Sequence, residues 1–343
     1  MIKYLGSKRL LVPAIVELIS GLPGARRVAD LFSGTSRVGH ALKAAGFQVL
    51  ANDHNAYAAT LARCYVAADR EDVAEPAEAL LRELATVPPR PGWFTRTYCE
   101  ESRFFRPENG ARIEAIRQAI AERELDPEVE AVALTALMEA ADRVDSTTGV
   151  QMAYLKQWAA RAQNPLALRM PTVLSRARHG KGAAFELDAA AAARAMGPVD
   201  VAYLDPPYNQ HKYLGNYHVW ETLVRWDQPE VYGRARKRVD CRERRSPFNS
   251  RRGIRDAFRG LLDAIDARHL VVSMNDEGFL TREEVEDLLA ARGGAAGVAV
   301  HAFDYRRYVG ARIGIHNPAG QRVGTVGRLR NQEHLFVVSA PGA

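Results

Sequence analysis

The chain has 343 residues, with 47 Lys and Arg against 41 Asp and Glu, a formal net charge of +6. Hydrophobic residues make up 47% and charged residues 26%, a balance that excludes a disordered or fibrous chain and is enough to bury a core without staples. At roughly 100–200 residues per domain, two structural units are expected. Cys64, Cys99 and Cys241 stand far apart, which argues against a disulfide framework or a zinc ribbon and for a reduced, cytoplasmic setting. No apolar run reaches about 18 residues, so no transmembrane helix is expected, and Met1 to Arg9 lacks the apolar core of a signal peptide.

In chain order, Leu10–Ser20 reads as a helix, with Leu11, Ile15, Leu18 and Ile19 on one face. Arg27–Phe32 reads as a strand, Ser33-Gly34-Thr35-Ser36 as a turn and Arg37–Ala45 as a helix stopped by Gly46. Phe47–Asn52 is a second strand, ending at Asp53. Strand, glycine turn, helix, strand and acid is the order of a nucleotide-type binding unit.

Residues 61–179 change character and read as a helical insert, with helices over Ala74–Ala85, Asn109–Glu124 and Pro127–Val144. The α/β rhythm returns near 180. Strands are predicted at Ala184–Leu187, Val199–Leu204, Leu270–Met274, Val298–Phe303 and Leu335–Ser339, and helices at Tyr217–Trp226, Ile254–Ala267 and Thr281–Ala291. Residues 1–60 and 180–343 are therefore expected to form one sheet interrupted by 61–179.

Asp205-Pro206-Pro207-Tyr208 directly follows the strand Val199–Leu204, where open α/β sheets place ligands. The Asp205 carboxylate can accept a hydrogen bond from an –NH2 group. Pro206 fixes its own φ and so aims its carbonyl as a second acceptor. Tyr208 offers a ring for stacking on a planar base, worth about 1–3 kcal/mol. A plain strand-ending turn also uses Asp and Pro. In Asp30-Leu31-Phe32-Ser33-Gly34-Thr35-Ser36 the small residues let a ligand approach the backbone and a helix N-terminus. Asp53 is placed to hold ribose hydroxyls or to cap a helix, and Asp188 could likewise cap Ala189–Met196. His211, His218, His269, His301, His316 and His334 show no metal-ligand spacing, and no metal is expected.

Basic residues are 40 Arg and 7 Lys, a bias that genomic base composition or a need for bidentate phosphate contacts would each produce. From Arg234 to Arg259 eleven of 26 positions are Lys or Arg, opposed by Asp240, Glu243 and Asp256. The basic loop 228–258 is expected either to face solvent or to meet phosphates through Arg236, Lys237, Arg238, Arg244, Arg245, Arg251 and Arg252.

Together these segments resemble the D12 class of amino-methylating DNA methyltransferases, the Dam-like alpha group, in its restriction-type form. Tyr4-Leu5-Gly6-Ser7-Lys8 resembles its N-terminal cofactor motif, and Asp30–Gly39 its cofactor loop, with Ser36 in place of the second loop glycine. Asp53 matches the ribose-binding acid, Phe185-Glu186-Leu187-Asp188 the motif before the catalytic strand, and Asp205–Tyr208 the catalytic tetrapeptide. Phe105–Asn109, Ala140–Arg143, Asn216–Leu223, Ser273–Gly278, Tyr305–Tyr308 and Gln332–Leu335 extend the resemblance over nearly the whole chain.

The resemblance implies a Rossmann-like, mostly parallel, seven-stranded sheet with a reversed hairpin near its end. It implies S-adenosylmethionine as cofactor, held by Tyr4, Lys8, Asp30, Phe32, Ser33, Gly34, Thr35, Ser36, Asp53, His54, Asp188 and Asp205. It implies methylation of adenine N6 in double-stranded DNA after base flipping, with cytosine N4 as the alternative and an RNA amino-methyltransferase or a non-catalytic DNA-binding protein as more distant ones. The insert 61–179 would then contact DNA, Lys3 would do so by analogy, and a cognate restriction endonuclease is an implied partner. A soluble monomer or dimer, cytoplasmic and associated with the nucleoid, is the expected state.

Overall fold

The computed structural model describes residues 1–293, 297–306 and 330–340. Arg307, Tyr308 and His316, named above, lie outside them. The strands are β1 Arg27–Asp30, β2 Gln48–Asn52, β3 Ala183–Phe185, β4 Val199–Leu204, β5 Val231–Tyr232, β6 Lys237–Arg238, β7 Ala267–Asn275, β8 Ala299–Arg306 and β9 Arg330–Ser339. Seven of them form one sheet in the order β3-β2-β1-β4-β7-β9-β8. The pairs β1/β2, β1/β4, β2/β3 and β4/β7 are parallel. Strand β9 lies between β7 and β8 and runs against both. The reversal at the end of the sheet is thus one strand wedged between two, with β8 running the same way as the parallel set.

Side chains alternate across the sheet as period-2 geometry requires. Val28, Val49, Val201, Tyr203 and Val271 pack on one face with Ile15, Ile19, Val38 and Leu42 from the helices Val12–Ser20 and Arg37–Ala44, and with Leu11 just before the first. Ala29, Leu50, Ala202, Leu204, Leu270 and Val272 pack on the other face with Phe258, Leu261 and Leu289. The helices of 61–179 make a third core, in which Leu81, Phe94, Ile116 and Leu137 meet Ile2, Tyr57, Tyr217 and Trp220.

Predicted helices reappear as Arg70–Thr86, Pro107–Ala121 and Pro127–Arg143. The last begins at Asp126, whose carboxylate accepts the Glu128 and Val129 amides, an N-cap. Two helical stretches were not predicted: Ala56–Ala62 running into a π-helical turn at Arg63–Ala67, and Trp93–Thr95 running into a second π turn at Arg96–Glu100. The basic loop is also more ordered than predicted. It contains the β5/β6 hairpin, a short helix Asp240–Glu243 and a 3₁₀ turn Pro247–Asn249.

Successive strands run outward from β1 in one direction to β2 and β3 and in the other to β4 and β7. The order therefore reverses between β1 and β4, and the crevice beyond their C-terminal ends is the expected ligand position. Three neighbouring strands deliver an acid there: Asp30 ends β1, Asp53 follows β2 and Asp205 follows β4.

Candidate active site

A cavity occupies that crevice. Tyr4, Lys8, Asp30, Phe32, Ser33, Gly34, Thr35, Asp53, His54 and Asp205 line it. Gly34 is required by its backbone, with φ of +51°, and by space, since a Cβ would lie 3.3 Å from the Tyr4 ring. Tyr4 in turn stacks on Tyr217 (centroids 4.6 Å apart) and Tyr213 (5.2 Å). Asp53 accepts the Gly34 amide at 3.1 Å and the Asn55 amide at 3.0 Å. The same carboxylate that faces the cavity therefore fixes the glycine turn.

Two of the expected cofactor residues do not line this cavity. Asp188 is exposed and caps the helix Ala189–Met196, accepting the Ala190 and Ala191 amides. Ser36 is fully buried with φ of +58°, the left-handed region that favours glycine. Its hydroxyl has no hydrogen-bond partner among the described residues, so the replacement of glycine here strains the turn rather than adding a cavity contact.

At the reacting end, Asp205 pairs with Lys8 at 3.1 Å, and Lys8 also pairs with Glu333 from β9. Ser273 on β7 donates to Glu333 at 3.1 Å. Burial pushes the Asp205 carboxyl up to about 6, with Lys8 pulling it down and Glu333 pushing it up. Burial alone would lower the Lys8 ammonium, but Asp205 and Glu333 hold it well above its ordinary value. Asp30 is pushed up to about 8 by burial and by the nearby Asp205 and Asp53 charges.

Pro206 is buried and Pro207 lines the cavity. Tyr208 is held by Asn275, whose amide donates to its hydroxyl at 2.7 Å, and by the Phe279 amide on its carbonyl at 2.8 Å. The Lys8 ammonium lies 5.9 Å from its ring centroid. Asn249 donates to the carbonyls of Asn209 (2.8 Å) and His211 (3.1 Å) and so ties the segment after Tyr208 to the basic loop. Glu333, Ser273, Asn249 and Asn275 had been given no role. Glu333, Ser273 and Asn275 sit in segments that carry the resemblance, but only the sheet order brings them to the Asp205–Tyr208 segment.

The expected DNA-contacting residues divide. Arg238 is a correction: it is buried and bonded to Asp227 (2.7 Å), Asp240 (3.1 Å) and Thr222, so it holds the loop together. Arg244 is also committed internally, to Glu221 at 2.8 Å and the His54 carbonyl at 2.6 Å. Lys3 is engaged by Asp145 at 2.8 Å and the Asp142 carbonyl at 2.6 Å, and Arg236 by Glu101 at 3.2 Å. Lys237 is half-buried; Arg245, Arg251 and Arg252 are exposed. Among the described residues no three metal-ligating side chains gather, and no helix is long and apolar enough to cross a membrane.

A mostly parallel seven-stranded sheet with one antiparallel strand near its edge, and Asp-Pro-Pro-Tyr at the end of its central strand, defines a Rossmann-like methyltransferase that acts on amines. The chain belongs to the D12 class N6 adenine-specific DNA methyltransferases, whose family model matches residues 4–288. It is 31% identical over 302 residues to the type II methyltransferase M.NlaIII of Neisseria lactamica, covering 84% of this chain and 88% of that one. It is 30% identical over 326 residues to the type II methyltransferase M.FokI of Planomicrobium okeanokoites, covering 89% of this chain but 49% of that one. The type II methyltransferase M.CviAII of Paramecium bursaria Chlorella virus 1 is 28% identical over 308 residues, 89% of its length. The chain thus spans about half of one relative and nearly nine-tenths of two others.

Methyltransferases of this family use S-adenosylmethionine, and the cavity fits it. Asp30 Oδ1 and the Ser33 hydroxyl are buried there without partners among the described residues. Gly34 leaves the backbone open, and the carboxyl groups of Asp30, Asp53 and Asp205 face a space that would hold a cationic sulfonium.

Proposed function

We propose that this chain methylates N6 of adenine in double-stranded DNA at the cavity between β1 and β4, with the adenine turned out of the duplex. The observation that carries the reading is the Asp205–Tyr208 segment beside Lys8, at the mouth of a cavity lined by Asp30, Gly34 and Asp53. S-adenosylmethionine supplies an activated methyl group when bound. Tyr4, Phe32, Gly34 and Asp53 would hold it, Asp53 through the ribose hydroxyls.

Asp205 accepts a hydrogen bond from the exocyclic amine, and the Pro206 carbonyl accepts the second. Both favour a pyramidal nitrogen with an available lone pair, and fixed positioning of the two reactants supplies much of the rate. The Asp205 carboxylate, which aligns and polarises the amine, is the base placed beside the proton that the methylated nitrogen must shed. Tyr208 stacks on the turned-out base and offsets part of the few kcal/mol that flipping costs.

The helical region 61–179 and the exposed Arg245, Arg251 and Arg252 form the outer DNA-contacting surface in this reading. The names of the relatives support a restriction-modification setting with a cognate endonuclease, in a cytoplasmic, nucleoid-associated protein.

The test is nucleoside mass spectrometry on unmethylated genomic DNA incubated with S-adenosylmethionine and either the protein or its Asp205→Ala variant. N6-methyladenine from the intact protein, falling at least about a hundredfold in the variant, is the expected result. N4-methylcytosine instead would overturn the base and keep the site. No methylated base from either form, with the cofactor bound, would overturn the DNA substrate.

A further inference from the structure

A second, larger cavity adjoins the catalytic one on the side of the N-terminus. It lies between Met1, the helices Val12–Ser20, Arg37–Ala44 and Pro127–Arg143, and the segment Arg169–Thr172. Arg9, Arg37, Arg143 and Arg169 line it together with the N-terminal amine, against Glu139 as the one acid. Glu139 is already engaged by the Met1 ammonium and the Tyr65 hydroxyl. Arg143 donates to the Ala167 carbonyl at 2.8 Å and reaches Glu139 only at 4.0 Å.

Among the described residues, the side chains of Arg9, Arg37 and Arg169 make no hydrogen bond or ion pair, and Arg37 Nε is buried without a partner. A guanidinium cannot relieve such crowding by losing its proton. Burial and the charge of Arg9 both disfavour the Arg37 cation, and burial and Arg169 do the same to Arg143. The cavity thus gathers more positive charge than Glu139 offsets, most unfavourably at the half-buried Arg37, and an anion would complement it. In the basic loop, by contrast, Arg236, Arg238 and Arg244 are all consumed by acids.

The position of the cavity selects the anion. Arg37 lines the catalytic cavity as well, and Arg9 and Arg37 both line the open cleft that holds Tyr208. The basin therefore shares Arg9 and Arg37 with the cleft beside Tyr208, and for a base extruded into that cleft the flanking phosphodiester is the anion nearest to hand. Resting on the DNA-methylation reading above, we infer that the basin of Arg9, Arg37, Arg143 and Arg169 is a phosphodiester subsite that holds the substrate backbone beside the extruded nucleotide. Planar guanidiniums suit bidentate phosphate contacts.

Non-specific duplex binding is dominated by phosphate contacts, so the test needs no knowledge of the recognition sequence. Binding of a mixed-sequence 30-base-pair duplex is measured between 50 and 200 mM salt for the intact protein and for an Arg9→Gln/Arg169→Gln variant. Both residues are exposed and free of partners, so folding should survive. Melting and S-adenosylmethionine binding are checked in parallel.

The variant is expected to lose about 1–2 units from the slope of log affinity against log salt and at least about fivefold in affinity at low salt, with cofactor binding unchanged. An unchanged slope overturns the subsite. An unchanged slope together with loss of the thermal protection that inorganic phosphate gives the intact protein would make the basin a free-anion site instead. If the intact protein methylates adenine while the slope is unchanged, only this inference falls; if it methylates no DNA, the underlying reading falls whatever the slope.

Discussion

Asp30, Asp53 and Asp205 face one cavity, and two of them hold their protons unusually tightly. Asp205 is pushed up to about 6 and Asp30 to about 8, each first by burial. At pH 7 Asp30 is mostly protonated and Asp205 mostly ionised. A cationic ligand in the cavity favours ionised carboxylates, so S-adenosylmethionine binding at pH 7 should release about one proton, and affinity should weaken as pH falls from 8 to 6. Calorimetric titration in two buffers of different ionisation enthalpy measures the release; no release would remove Asp30 from contact with the bound cation. The sign for stability follows from the same shifts. Both folded-state values lie above those of the unfolded chain, so these groups stabilise the fold fully only at pH below about 4, and that contribution is lost as pH rises through 6 and then 8. Without ligand the fold should therefore weaken on this account towards pH 9.

At the scale of elements, the β5/β6 hairpin is held by Arg238, which ties Asp227 before it and Asp240 after it to Thr222 on the helix His218–Arg225. Removing one partner of a buried ion pair is far costlier than removing an exposed one. Both carboxylates here keep some exposure to water. Arg238→Ala should therefore cost about 2–4 kcal/mol, read from the urea midpoint, whereas Arg251→Ala should change it little; equal small effects would place Arg238 outside the hairpin's support. This residue also marks where sequence reading failed. A run of cations looks like a nucleic-acid surface, but several of the acids that engage it, Glu101, Asp227 and Glu221 among them, come from outside the run. Strands were legible because they are short apolar runs: β4 has the predicted bounds, Val199–Leu204. The Ala56–Ala62 helix, fully buried, lacks the polar face that creates a period, and it went unseen. Asp30, Gly34, Asp53 and Asp205 were legible because each is local to a strand end. Glu333 was not, because its place beside Lys8 depends on β9 running antiparallel between β7 and β8.

At the scale of the whole molecule, the helical region and the sheet are not independent. Its core includes Ile2 from the cofactor-side N-terminus and Tyr217, Val219, Trp220 and Leu223 from the stretch after Asp-Pro-Pro-Tyr. Glu221 of that stretch accepts the Tyr57 amide and binds Arg244 of the basic loop. Tyr4 stacks between the site and this same core. A ligand in the cavity thus touches segments that begin near residue 4, pass through residues 30–54 and end at 205–213, all of which close on the helical region. Unfolding should be one cooperative transition, and S-adenosylmethionine at a hundredfold excess over its dissociation constant should stabilise all of it by about 2.7 kcal/mol. For a chain of 343 residues that corresponds to a rise of about 4 °C in the melting midpoint. Differential scanning calorimetry decides between this and a modular chain. Two transitions, of which the ligand moves only one, would mean that 61–179 folds as a separate unit; one transition moved as a whole would mean that the insert has become part of the wall of the active site.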